Sequence, residues 1–201
     1  MRIIIVEDHP VMRSGLTAYF GDTGRWRVAG AAASINEAKK LLTGTETDVL
    51  LLDIQLADGW GLDIIQWFLK HVEQSPGSYR PLMAIYSNYT DYAHVSAAMG
   101  MGVKAYICKQ RNEKELECAL LKALDGEVYI DDKAQLNLKF VKDLFSLLTK
   151  RETEILCLVK SGLSNKQIAS RLKISNRTVE NILSCVYDKT GIKNRLELQN
   201  L

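Results

Sequence analysis

Five short apolar runs recur through the first 125 residues: Ile3–Val6, Val28–Ala32, Val49–Leu52, Leu82–Tyr86 and Ala105–Cys108. A run with no polar member every second residue cannot present one face to water, so it fits a strand covered on both sides. Between the runs lie longer stretches with helical spacing, after Pro10 towards Ala18–Phe20 and again at Leu62, Ile65, Phe68 and Leu69. This alternation predicts an α/β, flavodoxin-like domain, a five-stranded parallel doubly wound sheet with helices on both faces.

The pattern changes past the expected helix Glu113–Leu124. Gly126–Lys139 is polar and irregular and is read as a linker, with a short helix at Val141–Leu148. From Thr149 onwards the strand signal is gone and four helical stretches follow. Thr149, Ser164, Ser175 and Asn194 stand where N-caps belong, and Gly162 and Gly191 where helices stop. Ile155, Leu156, Leu158 and Val159 are expected to pack on Ile168, Ala169 and Leu172, then on Val179, Leu183 and Val186. The expected organisation is an α/β domain over 1–125, a linker over 126–147 and an all-α four-helix helix-turn-helix domain over 148–201.

Composition narrows the function classes. No segment approaches the length of a membrane span, and the apolar run after Met1 is too short for a secretory signal. The cysteines Cys108, Cys118, Cys157 and Cys185 form no C-x-x-C pair, which suits reduced thiols in a cytoplasmic protein. Residues 1–125 carry 13 Lys/Arg against 15 Asp/Glu, whereas residues 149–201 carry 10 against 5. A basic tail on a slightly acidic domain points to a polyanion partner for the tail.

In an open parallel sheet, ligands bind beyond the carboxyl ends of the strands. The first run delivers Glu7 and Asp8, the third Asp53, the fourth Ser87 and the fifth Lys109. Each residue alone reads equally well as a helix cap or a surface charge; the signal is that all five fall at one sheet edge. Converging carboxylates need a compensating cation, and hard oxygen donors suit Mg²⁺. Asp53 is then a nucleophile towards a phosphoryl group, Lys109 a counter-charge for its oxygens and Ser87 a hydrogen-bond donor.

Val6-Glu7-Asp8-His9-Pro10, Asp53 with Gly61 eight residues on, Ser87, and Gly102-Val103-Lys104-Ala105-Tyr106-Ile107-Cys108-Lys109 together resemble the receiver domain of two-component response regulators. The resemblance implies phosphorylation of Asp53 by a cognate sensor histidine kinase. It implies Mg²⁺ held by Glu7, Asp8, Asp53 and the main-chain carbonyl of Gln55, and a switch pair of Ser87 and Tyr106. The sequence departs from the family pattern at Ala57, usually proline, at Asn88, usually a small residue, and at Gln110, usually proline or aspartate.

In the tail, a second helix held outward by the first has its opening turn free to enter a major groove. Lys166, Arg177 and Lys189 are placed for phosphates, Asn181 for adenine and Ser184 for a less selective base contact, with Thr178 beside them. Ser164-Asn165-Lys166, Ile168-Ala169, Ser175, Thr178-Val179, Lys189, Gly191 and Arg195 are similar to the LuxR/NarL-type helix-turn-helix domain. That resemblance implies double-stranded DNA as partner, with Ser164, Asn165 and Ser175 joining the contact set. It also implies tail-to-tail pairing through a last helix, Arg195–Leu201, a homodimer on phosphorylation and RNA polymerase as a further partner. Glu180 and Ile182 replace the family's usual lysine and histidine.

The whole reads as a cytoplasmic, phosphorylation-controlled transcriptional regulator and not an enzyme. An aspartyl-phosphate phosphohydrolase needs a general acid two residues after its nucleophile, where this chain has Gln55. A phosphorylation-independent regulator acting through protein contacts is the alternative left open.

Overall fold

A computed structural model describes residues 1–73 and 80–199. The strands are β1 (Arg2–Val6), β2 (Arg27–Ala32), β3 (Val49–Leu52), β4 (Gln55–Leu56), β5 (Gly59–Trp60), β6 (Leu82–Ser87), β7 (Ala105–Cys108) and β8 (Tyr129–Ile130). The helices are α1 (Pro10–Asp22), α2 (Ile35–Gly44), α3 (Gly61–Glu73), α4 (Tyr92–Gly100), α5 (Glu113–Leu124), α6 (Asp132–Ser146), α7 (Lys150–Lys160), α8 (Asn165–Leu172), α9 (Asn176–Thr190) and α10 (Arg195–Gln199). Two compact units result, with main segments 1–90 plus 94–135 and 136–201.

The main sheet of the first unit is wholly parallel, in the order β2-β1-β3-β6-β7-β8, with β4 and β5 forming a separate antiparallel pair. The five expected strands are present, and the central ones are buried throughout except at Arg2 and Leu82, the first residues of β1 and β6. Alternate residues serve opposite faces, so Ile3, Ile5, Val49, Leu51, Tyr86 and Ile107 share one core with Phe20, Trp26, Leu116 and Leu120. The chain moves outward from β1 in both directions, to β2 on one side and β3 on the other. The crevice between the carboxyl ends of β1 and β3 is therefore the topological switch point.

The sheet has a sixth strand, where the sequence reading placed irregular linker. Tyr129 and Ile130 extend the edge beside Ala105 and Tyr106, and the 15-residue helix α6 follows at once. A two-residue, half-buried edge strand leaves no periodic trace, because backbone hydrogen bonds to β7 make it. Asp131 then starts α6: it is 3% exposed, its carboxylate accepts from the Lys133 amide, and Arg111 Nε donates to it at 2.7 Å.

The second unit holds α7–α10. Ile155, Leu156 and Val159 of α7 pack on Ile168 and Ala169 of α8 and on Val179, Leu183 and Val186 of α9. Leu198 of α10 completes this core. Thr149, Ser164 and Ser175 each accept the N3 amide of their helix, as their positions predict. Gly191 ends α9 in the left-handed region at φ 70°, and Lys173 ends α8 there at φ 54°. Asn194 caps α10 by accepting from the Glu197 amide. Asn200 and Leu201, expected in that last helix, lie outside the described residues.

Candidate phosphoacceptor pocket and nucleic-acid interface

Strand register builds the pocket. Val6 lies opposite Leu52, and Ser87 opposite Cys108, so the residues just past these strands meet at one edge. Asp53 anchors there through its amide, which donates to the Val6 carbonyl at 2.9 Å. Glu7, Asp53 and Ser87 are buried, at 1%, 5% and 1% exposure. Ser87 Oγ donates to Asp53 Oδ1 at 2.8 Å, and Lys109 Nζ reaches Asp53 Oδ2 at 2.7 Å and Glu7 Oε2 at 2.6 Å. Burial opposes the Lys109 charge, but the hydrogen bonds it donates to Asp53 and Glu7 outweigh that and hold its pKa above the ordinary lysine value.

The negative charge is not fully met by protein groups. Carboxylate oxygens of Glu7, Asp8 and Asp53 lie within 4.8 Å of one another, with His9 among them. Asp8 Oδ1 is buried and accepts no hydrogen bond among the described residues, although His9 Nδ1 is only 2.9 Å away. A buried carboxylate oxygen without a donor is costly, and three carboxylates against one ammonium leave a deficit of positive charge. The donor set is all hard oxygen, apart from the His9 ring, and can hold a metal ion.

Three residues that the motifs did not single out shape this edge: Arg13, Tyr89 and Trp60. Arg13 of α1 donates through Nη1 to the carbonyls of Glu7 and Asp8, at 2.7 and 3.1 Å, and so fixes the acidic loop. Tyr89 Oη donates to Gln55 Oε1 at 2.5 Å, and its ring meets Trp60 and His94 at 6.0 and 4.8 Å. None of this is visible in sequence, because each contact joins residues whose proximity only folding creates. Gln55 itself begins the β4–β5 hairpin, with Ala57 and Asp58 at its turn, and its amide lies 3.4 Å from Asp53 Oδ1. Tyr106 is wholly buried and its hydroxyl donates to the Tyr89 carbonyl at 2.5 Å. Asn88 is exposed and, with His9 and Lys109, borders a cleft of about 490 Å³.

In the helical unit, α9 turns Val179, Leu183 and Val186 inward. Helical spacing then sets Arg177, Asn181 and Ser184 along the opposite side, and all three are exposed. Lys166 and Thr178 are exposed too, and Thr178 Oγ1 sits 2.8 Å from the capping Ser175 Oγ. Arg171 and Lys173, passed over in the sequence reading, add exposed positive charge between Lys166 and Arg177.

Two expected contact residues are occupied within the fold. Lys189 Nζ donates to both oxygens of the nearly buried Glu152, at 2.9 and 2.8 Å, so it also ties α9 to α7. That bond, with the Thr149 amide, lowers the Glu152 pKa to about 2. Asn165 Oδ1 accepts from Arg195 Nη1 at 2.8 Å, which ties α10 to the start of α8. Glu180 is exposed and accepts from Asn176 Nδ2 at 2.6 Å, while Ile182 packs against the core.

Comparison with known proteins matches residues 3–121 to the response regulator receiver domain. Residues 146–201 match the bacterial regulatory proteins of the luxR family. The oxygen regulatory protein NreC of Staphylococcus carnosus (strain TM300) is 31% identical over 98% of this chain and 94% of its own. The DNA-binding transcriptional activator DevR/DosR of Mycobacterium tuberculosis (strain ATCC 25618 / H37Rv) is 30% identical over 98% of this chain and 91% of its own. Among solved structures, RcsB from Salmonella enterica serovar Typhimurium, bound to promoter rprA in the presence of phosphomimetic BeF3-, superposes with a TM-score of 0.72. It is 21% identical and covers 100% of this chain and 96% of its own, a likeness of fold.

Proposed function

The chain belongs to the response regulators that join a receiver domain to a LuxR-family DNA-binding region, and from this premise we propose that Asp53 is the phosphoacceptor controlling its action on DNA. One observation carries the reading: Ser87 and Lys109 engage the two separate oxygens of Asp53, beside the acidic pair Glu7 and Asp8. An Asp53 oxygen attacks phosphorus, the bond from phosphorus to the donor's leaving group breaks, and an acyl phosphate forms. Lys109 follows the new negative charge, and the Ser87 hydroxyl turns its proton towards a phosphoryl oxygen.

Glu7, Asp8, Asp53 and the Gln55 carbonyl are the proposed holders of Mg²⁺, and Asp8 Oδ1, which accepts no hydrogen bond, is one of the donors. When bound, Mg²⁺ neutralises the carboxylates and phosphoryl oxygens together. The switch pair is Ser87 with Tyr106, whose hydroxyl position on the Tyr89 carbonyl links it to the loop after Ser87. Gln55, bonded to Tyr89, supplies no general acid, which weighs against a phosphohydrolase.

We assign 1–125 to the receiver, 126–147 to the connection and 148–201 to the DNA-binding domain. On duplex DNA, Lys166 and Arg177 meet phosphates; Asn181 and Ser184 meet bases, with Thr178 beside them. Ser164 and Ser175 present helix amino termini. Asn165 and Lys189 support the interface from within the fold. A cognate sensor histidine kinase, RNA polymerase and a phosphorylation-favoured homodimer complete the proposed partners, in the cytoplasm. No helix among the described residues is long and apolar enough to cross a membrane.

Labelling with acetyl phosphate and Mg²⁺ tests the assignment: Asp53→Asn is expected to abolish an acid-stable, base-labile label, and undiminished labelling would sink it. DNA selection with and without beryllofluoride then tests control. The expected result is an inverted repeat whose enrichment sharpens with the analogue; equal enrichment in both states would favour the phosphorylation-independent alternative.

A further inference from the structure

The turn that follows β7 is tied in two directions. The Arg111 amide donates to the Cys108 carbonyl at 3.0 Å, which closes a tight turn with Lys109 inside it. Tyr86 Oη donates to the Arg111 carbonyl at 3.2 Å and holds the turn from the sheet. On one side, Lys109 Nζ bonds Asp53 and Glu7. On the other, the Arg111 guanidinium reaches Asp131 at 2.7 Å through Nε, Asp132 at 2.9 Å through Nη2 and Glu115 at 3.4 Å through Nη1.

The three Arg111 contacts are unequal. The side chains of Asp132 and Glu115 are 84% and 45% exposed, where an ion pair contributes little. That of Asp131 is 4% exposed, and a buried carboxylate deprived of its cation is left uncompensated. Asp131 makes three further bonds. Its amide donates to the Tyr106 carbonyl at 2.8 Å, its carboxylate accepts from the Lys133 amide at 3.3 Å, and its carbonyl accepts from the Gln135 amide at 2.8 Å. One buried residue thus joins the strand of Tyr106, the turn of Lys109 and the first turn of α6, all within the first compact unit.

We propose that Arg111 and Asp131 are positioning residues for Lys109, and that their bond couples occupancy of the Asp53 pocket to the order of the first turn of α6. The proposal rests on the reading of Asp53 as phosphoacceptor. A phosphoryl group, or an analogue of it, gives the Lys109 ammonium a further anion to hold and so restricts the turn. Through Arg111 that restriction reaches Asp131, and with it the amides of Lys133 and Gln135. Coupling between two sites is reciprocal, so loosening Asp131 also weakens the grip of Lys109 on whatever occupies the pocket.

Hydrogen exchange of the full chain, read amide by amide by NMR with and without saturating beryllofluoride and Mg²⁺, tests this. In the wild type the analogue is expected to slow exchange at Asp53 and Lys109 and, by about fivefold or more, at Lys133 and Gln135. In Arg111→Gln the response at Asp53 and Lys109 is expected to remain, while the slowing at Lys133 and Gln135 is lost. Asp131→Asn keeps the backbone bonds and is expected to lose the same response; the double variant loses no more than either single one. Arg111→Lys, which retains a cation, is expected to recover part of it. A bond with a merely structural role lowers protection in these variants but leaves the response to the analogue intact, and that result overturns the proposal. So does a wild type that responds at Asp53 and Lys109 but not at Lys133 and Gln135. A wild type with no response at any of these amides overturns the phosphoacceptor reading itself, and this proposal with it.

Discussion

Gly61 shows how one missing atom can underwrite a reaction. A Cβ built on it falls 1.9 Å from the Asp53 carbonyl oxygen, and its amide donates to the Ile54 carbonyl at 2.7 Å. The start of α3 therefore presses directly on the backbone of Asp53, the proposed phosphoacceptor, with no room for even a methyl group. Gly61→Ala must push that backbone away, at a cost of about 1–3 kcal/mol for an overpacked site. The expected outcome is a lower urea midpoint together with a large loss of Asp53 labelling. Labelling at the wild-type rate would show that the carboxylate does not depend on this contact. The motif spacing marked Gly61 in the sequence, but its reason is the close approach, which no spacing reveals.

At the scale of elements, the bond between Glu152 and Lys189 clamps α7 to α9. Glu152 also closes the capping box of α7, through the Thr149 amide at 2.7 Å. Its pKa is depressed, chiefly by the Lys189 hydrogen bond, from 4.5 to about 2. A depressed carboxylate stabilises the fold fully above its unfolded pKa and loses that contribution as pH falls towards its folded one. The clamp is therefore complete at pH 7 and fades between about 4.5 and about 2. Glu152→Gln is expected to reduce hydrogen-exchange protection of the α7 amides at pH 7, and the gap to wild type should narrow at pH 3. A gap of the same size at both pH values would mean that the charge is not what holds α7. The N-cap role of Thr149 was legible in sequence, whereas the clamp across 37 residues was not.

For the whole molecule, the tail's positive charge is less available than its composition suggests. Lys189 is spent on Glu152 and Arg195 on Asn165 and the Leu163 carbonyl. What faces outward on α8, the following turn and α9 is Lys166, Arg171, Lys173 and Arg177, with Glu180 as a local opponent. Removing one cation that neutralises a phosphate lowers the slope of log affinity against log salt by about 0.9. Arg177→Ala is expected to show that reduction per protomer on the selected operator, while Lys189→Ala leaves the slope unchanged and lowers stability. If Lys189→Ala flattened the slope instead, its ammonium would belong to the DNA interface after all.

Much of this protein is determined by sequence alone, for a local reason. Unbroken apolar runs of this length, bounded by polar turns, fit buried strands, and the residue that follows each run inherits a place at the sheet edge. Asp53, Glu7, Asp8, Ser87 and Lys109 were therefore legible before any contact was known, as were the helix caps Thr149, Ser164 and Ser175. Only the tertiary structure decided features made by partners far apart in the chain. Those include the edge strand β8 on β7, the Arg13 grip on the acidic loop, the crowding of Asp8 beside Glu7, Asp53 and His9, and the bonds of Lys189 to Glu152 and of Arg195 to Asn165. A lone lysine or a two-residue strand has no periodicity, and its role is set by whichever group folding brings within about 3 Å of it.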